Sequence, residues 1–151
     1  MDIKFINAFI TGLLNVTGML GLSDLKRTGL SKKERLEIDK DVNILLGMTG
    51  GMNGNIVLSM PEPTARNIAS TMMGGMELAV LDMMPKSALC ELANMVAGNS
   101  VAGLNADSVS MSPPTLISGQ NIVALVSLVE TLVIEFTAAA GSITMSIALE
   151  G

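Results

Sequence analysis

The spacing of apolar residues changes along the chain, and each change predicts a different element. Residues 2–20 repeat an apolar side chain every three or four positions, which is typical of an amphipathic helix that starts near Asp2. A polar turn is expected over residues 21–31. Short apolar runs then predict three strands, at residues 35–38, 42–48 and 56–60. The glycine-rich segment 50–54 lies between the last two strands and is typical of a hairpin connection.

Two further helices are predicted in the middle of the chain. Residues 61–73 form the first of them, and the glycine pair at 74–75 ends it. The next helix has Asp82 as its N-cap and Pro85 in its first turn, and it extends to Leu104 or Asn105.

The last part of the chain predicts a bend and two strands. Residues 112–114, Ser-Pro-Pro, cannot continue a helix and indicate a rigid bend. An apolar segment over 125–136 predicts a central strand, and residues 142–150 alternate as a strand with one buried face. The resulting order, α-β-β-β-α-α-β-β, predicts an α+β fold in which three helices pack on a mostly antiparallel sheet. We expect residues 1–151 to form one domain.

The charge and the hydropathy pattern argue against nucleic acid and membrane as partners. The net charge is −5, and the nine Lys and Arg residues form no basic stripe. The longest apolar run, at 122–136, is too short to cross a bilayer and contains Glu130. No targeting segment is evident. We therefore expect no nucleic-acid partner and no membrane insertion.

The residue types that most often bind metals or move protons are scarce. The chain has no histidine, which removes the commonest metal ligand and the usual general base. Cys90 is the single cysteine, so no internal disulfide can form, and we expect no metal site. One cysteine also fits a reducing environment, and we expect a cytoplasmic protein.

The third predicted helix places a carboxylate and a carboxamide on the face opposite its apolar stripe. The stripe consists of Leu89, Leu92, Ala93 and Val96. Glu91 and Asn94 are an i, i+3 pair on the other side, with Cβ atoms roughly 5–6 Å apart. Ser87 and Gly98 share that side, and Gly98 leaves room for another surface. Because apolar residues flank the pair, namely Ala88, Met95, Val101 and Ala102, this face predicts a docking site.

Glu91 and Asn94 also fit a simpler interpretation, as solubilising residues on an exposed helix. A Glu-x-x-Asn tetrapeptide occurs often by chance, and a short motif is a hypothesis until its context agrees. The rest of the chain supplies that context.

Four motifs follow one another along the chain: GMTGGMNG at 47–54, MMGGME at 72–77, ELANMVAG at 91–98 and SPPTLISG at 112–119. With them, nearly the whole chain resembles the CheX branch of the CheC/CheX/FliY phosphatases of bacterial chemotaxis. The signature of that family is an acidic residue or Ser, a Glu four positions later, an Asn three further on, and a Pro well downstream. Matching positions are occupied by Ser87, Glu91, Asn94, Pro113 and Pro114.

The resemblance implies an enzyme that dephosphorylates the phospho-aspartate of a CheY-like response regulator. In such an enzyme Asn94 would position a water in line with the phosphorus, and Glu91 would engage the active-site Lys of the receiver. The resemblance also implies a homodimer and no cofactor of its own, with Mg²⁺ carried by the phosphorylated receiver. The residues expected to contact the partner are Ser87, Ala88, Met95, Gly98, Val101, Ala102, Pro113 and Pro114.

Two alternatives remain open from the sequence. The fold is related to flagellar switch proteins, so the chain could be a non-catalytic adaptor that binds a receiver; the presence of both Glu91 and Asn94 favours the enzyme. A CheX-like subunit of another two-component pathway would be chemically identical. Segment 64–73, the other candidate helix for a site, lacks Glu-x-x-Asn, so one active site per chain is expected.

Overall fold

The computed structural model describes residues 3–104 and 108–150, in which three helices pack against one face of a large sheet. The helices are α1 (Ile3–Met19), α2 (Glu62–Met72) and α3 (Met83–Gly103). The strands are β1 (Lys26–Lys33), β2 (Leu36–Ile38), β3 (Val42–Gly50), β4 (Gly54–Met60), β5 (Val109–Met111), β6 (Thr115–Ser118), β7 (Ala124–Ser127), β8 (Thr131–Ala138) and β9 (Gly141–Leu149). Asp2 and Asn105, a predicted helix start and a possible helix end, lie outside the described residues.

All strand pairings in the described part of the chain are antiparallel. The main sheet has the order β1-β8-β9-β4-β3-β5, and β6 also pairs with β3. Strands β3 and β4 form the predicted hairpin, with Met48 opposite Gly54 across the glycine-rich turn. Strands β2 and β7 form a separate two-stranded sheet.

Apolar side chains cover both faces of the main sheet. The larger core joins the helices to one face and includes Leu13, Leu92, Ile44 and Phe136, all fully buried. A smaller core on the other face joins β2 and β7 to the sheet through Val57 and Ala148. Burial of one large apolar side chain contributes about 1.5–3 kcal/mol, so the larger core is the main source of stability. Among the described helices, none combines the length and apolar character needed to cross a bilayer.

The α+β class, with three helices on a mostly antiparallel sheet, is confirmed. The helices also lie at the predicted places between the strands. Segment 21–31, predicted as a polar turn, instead contains most of β1, which pairs with β8 at the edge of the sheet. Seven of the eight β1 residues are exposed, and its charged side chains leave no apolar alternation to detect. Charged residues on an edge strand are the usual protection against unwanted strand pairing.

The prediction of one strand over 125–136 is wrong, because this segment forms β7 and β8 with a turn between them. Strand β7 pairs with β2, whereas β8 pairs with β1 and β9. In the turn, the Val129 N–H donates to Ser127 Oγ at 3.1 Å, and Thr131 Oγ1 donates to the Val129 carbonyl at 2.9 Å. Side-chain hydrogen bonds therefore redirect the chain where its continuous apolar character suggested one strand.

The predicted bend at 112–114 is present, and two short strands flank it that the sequence did not predict. Strands β5 and β6 both pair with β3, so the chain follows one edge of β3 with an interruption at the bend. There the Gly47 N–H donates to Ser112 Oγ at 2.7 Å, and the Ser112 N–H donates to the Gly47 carbonyl at 2.8 Å. Pro113 and Pro114 cannot donate to a strand, which is why the pairing stops there.

Helices α1 and α3 approach each other closely at Gly12. A Cβ at this position would collide with Ser100 Oγ and lie 3.1 Å from the Val96 carbonyl oxygen. Ser100 Oγ itself donates to that carbonyl at 2.6 Å, so both side chain and backbone of α3 fill the space. The absence of a side chain at Gly12 thus allows α1 to hold α3 against the sheet.

Candidate functional site

Helix α3 begins where the sequence predicts. Asp82 is its N-cap, with extended backbone angles (φ −91°, ψ −160°), and its carbonyl accepts from the Lys86 N–H at 3.1 Å. The Asp82 carboxylate makes no capping hydrogen bond. Pro85 is buried in the first turn, where a proline costs the helix no internal hydrogen bond.

The apolar stripe fixes the rotation of α3 about its axis. Its four predicted residues are all buried, namely Leu89, Leu92, Ala93 and Val96. Ala97 and Ser100 extend the buried side toward the C-terminus. Because this side is held in the core, the opposite side of the helix must face solvent.

The solvent side of α3 carries the predicted polar pair. Glu91 and Asn94 are both exposed, as are Ser87, Gly98 and Ala102. The side chains of Glu91 and Asn94 make no hydrogen bond or ion pair with any other residue in the described ranges. Their polar atoms are therefore available to a second molecule.

Small and apolar residues surround this pair, as predicted. The partly buried ones are Ala88, Met95 and Val101. A Cβ added at Gly98 would meet no atom within 4 Å, so the surface here is open. The site is therefore a convex helix face with a polar centre and an apolar border.

Pro113 and Pro114 belong to the neighbouring sheet edge. Pro113 is exposed and Pro114 is partly buried, and both follow Ser112, which is bonded to β3. Helix α3 lies beside β6, which begins immediately after Pro114. The predicted proline positions are thus on the edge that borders α3.

Asn99 and Cys90 are polar residues of α3 that lie outside the predicted set. Asn99 Oδ1 accepts a hydrogen bond from Asn15 Nδ2 at 3.3 Å, which links α3 to α1 at the surface. Cys90 is partly buried, and this burial raises the pKa of its thiol, so the side chain is neutral at physiological pH. A neutral thiol is a poor nucleophile and does not suggest cysteine chemistry.

Sequence reasoning missed one feature of the same helix, an exposed methionine pair in its first turn. Met83 and Met84 are 77% and 70% exposed. Met84 precedes Glu91 by seven residues, or two helical turns, and therefore lies on the same side of α3. That spacing was the signal available in the sequence.

Glu91 and Asn94 do not line the clefts between β2 and the main sheet or between α1 and α3. In the described ranges, no three Cys, Asp or Glu side chains come together as a metal site. A polar pair on a rigid convex helix suits the surface of another macromolecule better than a small molecule, which needs a concave site. This geometry favours docking of another macromolecule over binding of a small molecule.

Comparisons with known proteins agree with this description. Residues 42–137 match the family model described as chemotaxis phosphatase CheX. The CheY-P phosphatase CheX of Thermotoga maritima is 35% identical over 126 residues, which are 81% of this chain and 80% of that protein. A CheC-like superfamily protein from Shewanella sp. PV-4 has a TM-score of 0.88 at 28% identity and covers 100% of both chains.

A fourth comparison is with a complex. The structure of a CheX–CheY–BeF₃–Mg²⁺ complex from Borrelia burgdorferi has a TM-score of 0.81 at 25% identity, covering 99% of this chain and 100% of that one. The chain belongs to the CheX family of chemotaxis phosphatases. The resemblance seen in the sequence is thereby confirmed, and so is the enzyme class that it implied.

Proposed function

We propose that this protein dephosphorylates the phospho-aspartate of a CheY-like response regulator with the exposed pair on α3. The observation that carries the proposal is that Glu91 and Asn94 lie exposed and unbonded on one face of a rigid helix. Its relative in Thermotoga maritima is a CheY-P phosphatase, and a structural neighbour from Borrelia burgdorferi is a CheX bound to CheY.

Asn94 has the role of holding the attacking water. In the reaction the water oxygen forms a bond to phosphorus while the bond between phosphorus and the aspartate oxygen breaks, giving the free carboxylate and inorganic phosphate. A carboxamide can accept a hydrogen bond from the water and donate one at the same time, so it fixes both position and orientation. Such positioning supplies much of the catalysis in phosphoryl transfer.

Glu91 has the role of aligning the partner. Its carboxylate would form an ion pair with the active-site Lys of the receiver and draw that Lys away from the phosphoryl group. An interfacial charge pair of this kind fixes the register of two docked proteins. Neither role requires a group that titrates near neutral pH, which is compatible with a chain that has no histidine.

The receiver brings the metal to this reaction. In the proposal Mg²⁺ stays in the receiver and the phosphatase has no cofactor of its own, which agrees with the Mg²⁺ in the Borrelia burgdorferi complex. The contact surface comprises Ser87, Ala88, Met95, Gly98, Val101, Ala102, Pro113 and Pro114.

The experiment measures the loss of labelled phosphoryl group from a Mg²⁺-bound phosphorylated receiver. Wild type should accelerate it, and Asn94→Ala should lower the turnover number at least about 100-fold while binding to the phosphorylated receiver persists. Asn94→Asp, of nearly the same size, should fail as well, because a carboxylate cannot donate. Glu91→Ala should raise KM about tenfold or more and also reduce turnover.

The outcomes separate the enzyme from its alternative. If Asn94→Ala had the wild-type turnover number, the proposal that Asn94 positions the water would be contradicted. Binding of several receivers without any acceleration would instead identify a non-catalytic adaptor.

We further propose that residues 1–151 act as one cytoplasmic phosphatase domain and that two copies associate through a sheet edge. The edge strand β7 supports such a contact. Exposed apolar side chains cluster on and beside it, at Val123, Leu125 and Leu128. An apolar edge of this kind favours pairing with another chain.

A further inference from the structure

Large apolar side chains are exposed at the beginning of α3 and in the segment before it. Met83 and Met84 are 77% and 70% exposed, and Val80 and Met76 are 62% and 55% exposed. Single exposed apolar residues are common on protein surfaces, whereas four within nine residues of sequence are a local concentration. Leu78 and Leu81, from the same segment, are packed against the core. The segment is therefore already attached to the core while the four apolar side chains remain exposed.

The methionine pair Met83–Met84 is continuous with the candidate site. Met84 is seven residues before Glu91, so the two side chains project from the same side of α3 about 10 Å apart along the axis. Ser87 lies one turn from each of them. The helix therefore presents one unbroken face that begins with the methionine pair and continues through the polar pair.

Charge specifies the chemistry of the surface that would cover this face. Glu77 and Asp82 precede the methionine pair on the chain, Lys86 follows it, and Glu91 lies two turns further along the helix, so three of these four charged residues are acidic. None of the three carboxylates has an ion-pair partner in the described ranges. A complementary surface is apolar where it meets the methionines and basic beside them.

We propose that Met83 and Met84 are the apolar anchor for the receiver domain, which contacts them with an apolar, positively charged surface next to its active-site Lys. The inference rests on the proposed function, because Glu91 sets where the receiver sits on α3. Methionine is suited to this role, since its flexible, polarizable side chain adapts to a partner that binds and leaves in each cycle. The methionine anchor would determine the affinity and selectivity for the receiver, and Asn94 would determine the rate of the chemical step.

The test is the steady-state kinetics of the double variant Met83→Glu/Met84→Glu on a phosphorylated receiver. We expect KM to rise at least about tenfold, with the turnover number at saturating receiver within about twofold of wild type. Met83→Leu/Met84→Leu keeps the apolar surface and should restore KM. Leu30→Glu is the matched control, since Leu30 is 57% exposed on β1, at the opposite edge of the main sheet from β5. Circular dichroism melting of each variant checks that it is folded.

Each result bears on the inference in a distinct way. An unchanged KM in the double Glu variant, in a preparation where Asn94→Ala loses turnover, overturns the anchor and leaves the proposed function in place. An equal rise of KM in Leu30→Glu overturns it too, because the effect would then come from charge alone. If the wild-type protein does not accelerate dephosphorylation of any receiver tested, the proposed function is contradicted, and the anchor role is contradicted with it.

Discussion

At the scale of single residues, Glu91 and Asn94 are both exposed but differ in the hydrogen bonds and charge that they offer. A carboxylate only accepts hydrogen bonds and carries a full charge, whereas a carboxamide donates and accepts without charge. The charged residue is therefore suited to attract and align a basic partner group. The neutral one is suited to orient a water molecule, which needs a donor and an acceptor at once.

Gly98 offers a residue-scale prediction, since it shares the exposed face with this pair and a Cβ there meets nothing in the isolated chain. Gly98→Ala should raise the free energy of unfolding by about 0.5–1 kcal/mol, because alanine favours the helix. Gly98→Gln should fold equally well but raise KM for the phosphorylated receiver about tenfold, because the longer side chain obstructs the approach of the partner. Urea unfolding and receiver kinetics measure the two effects. A Gln variant with wild-type KM would show that the partner does not come close at Gly98.

At the scale of elements, the close approach of α1 to α3 depends on the absence of a side chain at Gly12. Gly12→Ala should lower the free energy of unfolding by about 1–3 kcal/mol, because the new methyl group meets Ser100 and the Val96 carbonyl. Gly18→Ala is the matched control on the same helix, since a Cβ at Gly18 meets nothing within 4 Å, and it should be neutral or stabilising.

Ser100→Ala should recover part of the loss caused by Gly12→Ala. A double-mutant cycle by urea unfolding should give a coupling of about 0.5–3 kcal/mol between the two positions. No coupling, or a stabilising Gly12→Ala, would mean that the helices can separate without cost.

The sequence predicted the elements whose local pattern agrees with their packing. Helix α3 has a period-3.6 stripe that is buried, and the β3–β4 hairpin has apolar strands joined by glycines. Strand β1 was missed because its charged residues lie on an edge, and β5 and β6 were missed because three or four residues are too few for a pattern. The apolar segment at 125–136 concealed a turn held by side-chain hydrogen bonds. For β1, β5 and β6 the partner strand, which is distant in sequence, determines the structure.

The candidate site was predictable to a similar extent. The exposed face around Glu91 follows from the helical period, because the buried stripe leaves it no other orientation. The methionine pair was not recognised, because methionines occur throughout this chain and only the structure shows which of those in the described ranges face solvent. Exposure depends on the packing of all three helices and is not a local property.

At the scale of the whole molecule, the proposed homodimer leads to a prediction about mass. In sedimentation equilibrium the protein should behave as a particle with twice the 15.7 kDa mass of the chain. Leu125→Glu, on the exposed side of β7, should shift it toward the monomer, because a buried unpaired charge is costly. Leu30→Glu on β1 should leave the dimer intact. Dissociation by the Leu30 change alone would place the contact on β1 instead.

The main sheet supports the whole arrangement by having both of its faces covered. The helices occupy one face and the β2–β7 sheet the other, so α3 rests on a platform that is packed from both sides. The proposed dimer contact at β7 and the receiver contact on α3 then lie on opposite sides of this platform. One molecule could engage a second copy and a receiver at the same time without competition between them.

The core residues and the candidate functional residues of α3 lie on opposite sides of the same helix. In the sequence the two sets alternate within one segment. Selection for folding and selection for partner choice therefore act on different residues of the same helix. After a gene duplication, the exposed residues of α3 in one copy can change and bind a new receiver. The buried residues, and hence the fold, stay the same. The helix is thus a place where new signalling specificities can evolve without passing through an unstable ancestor.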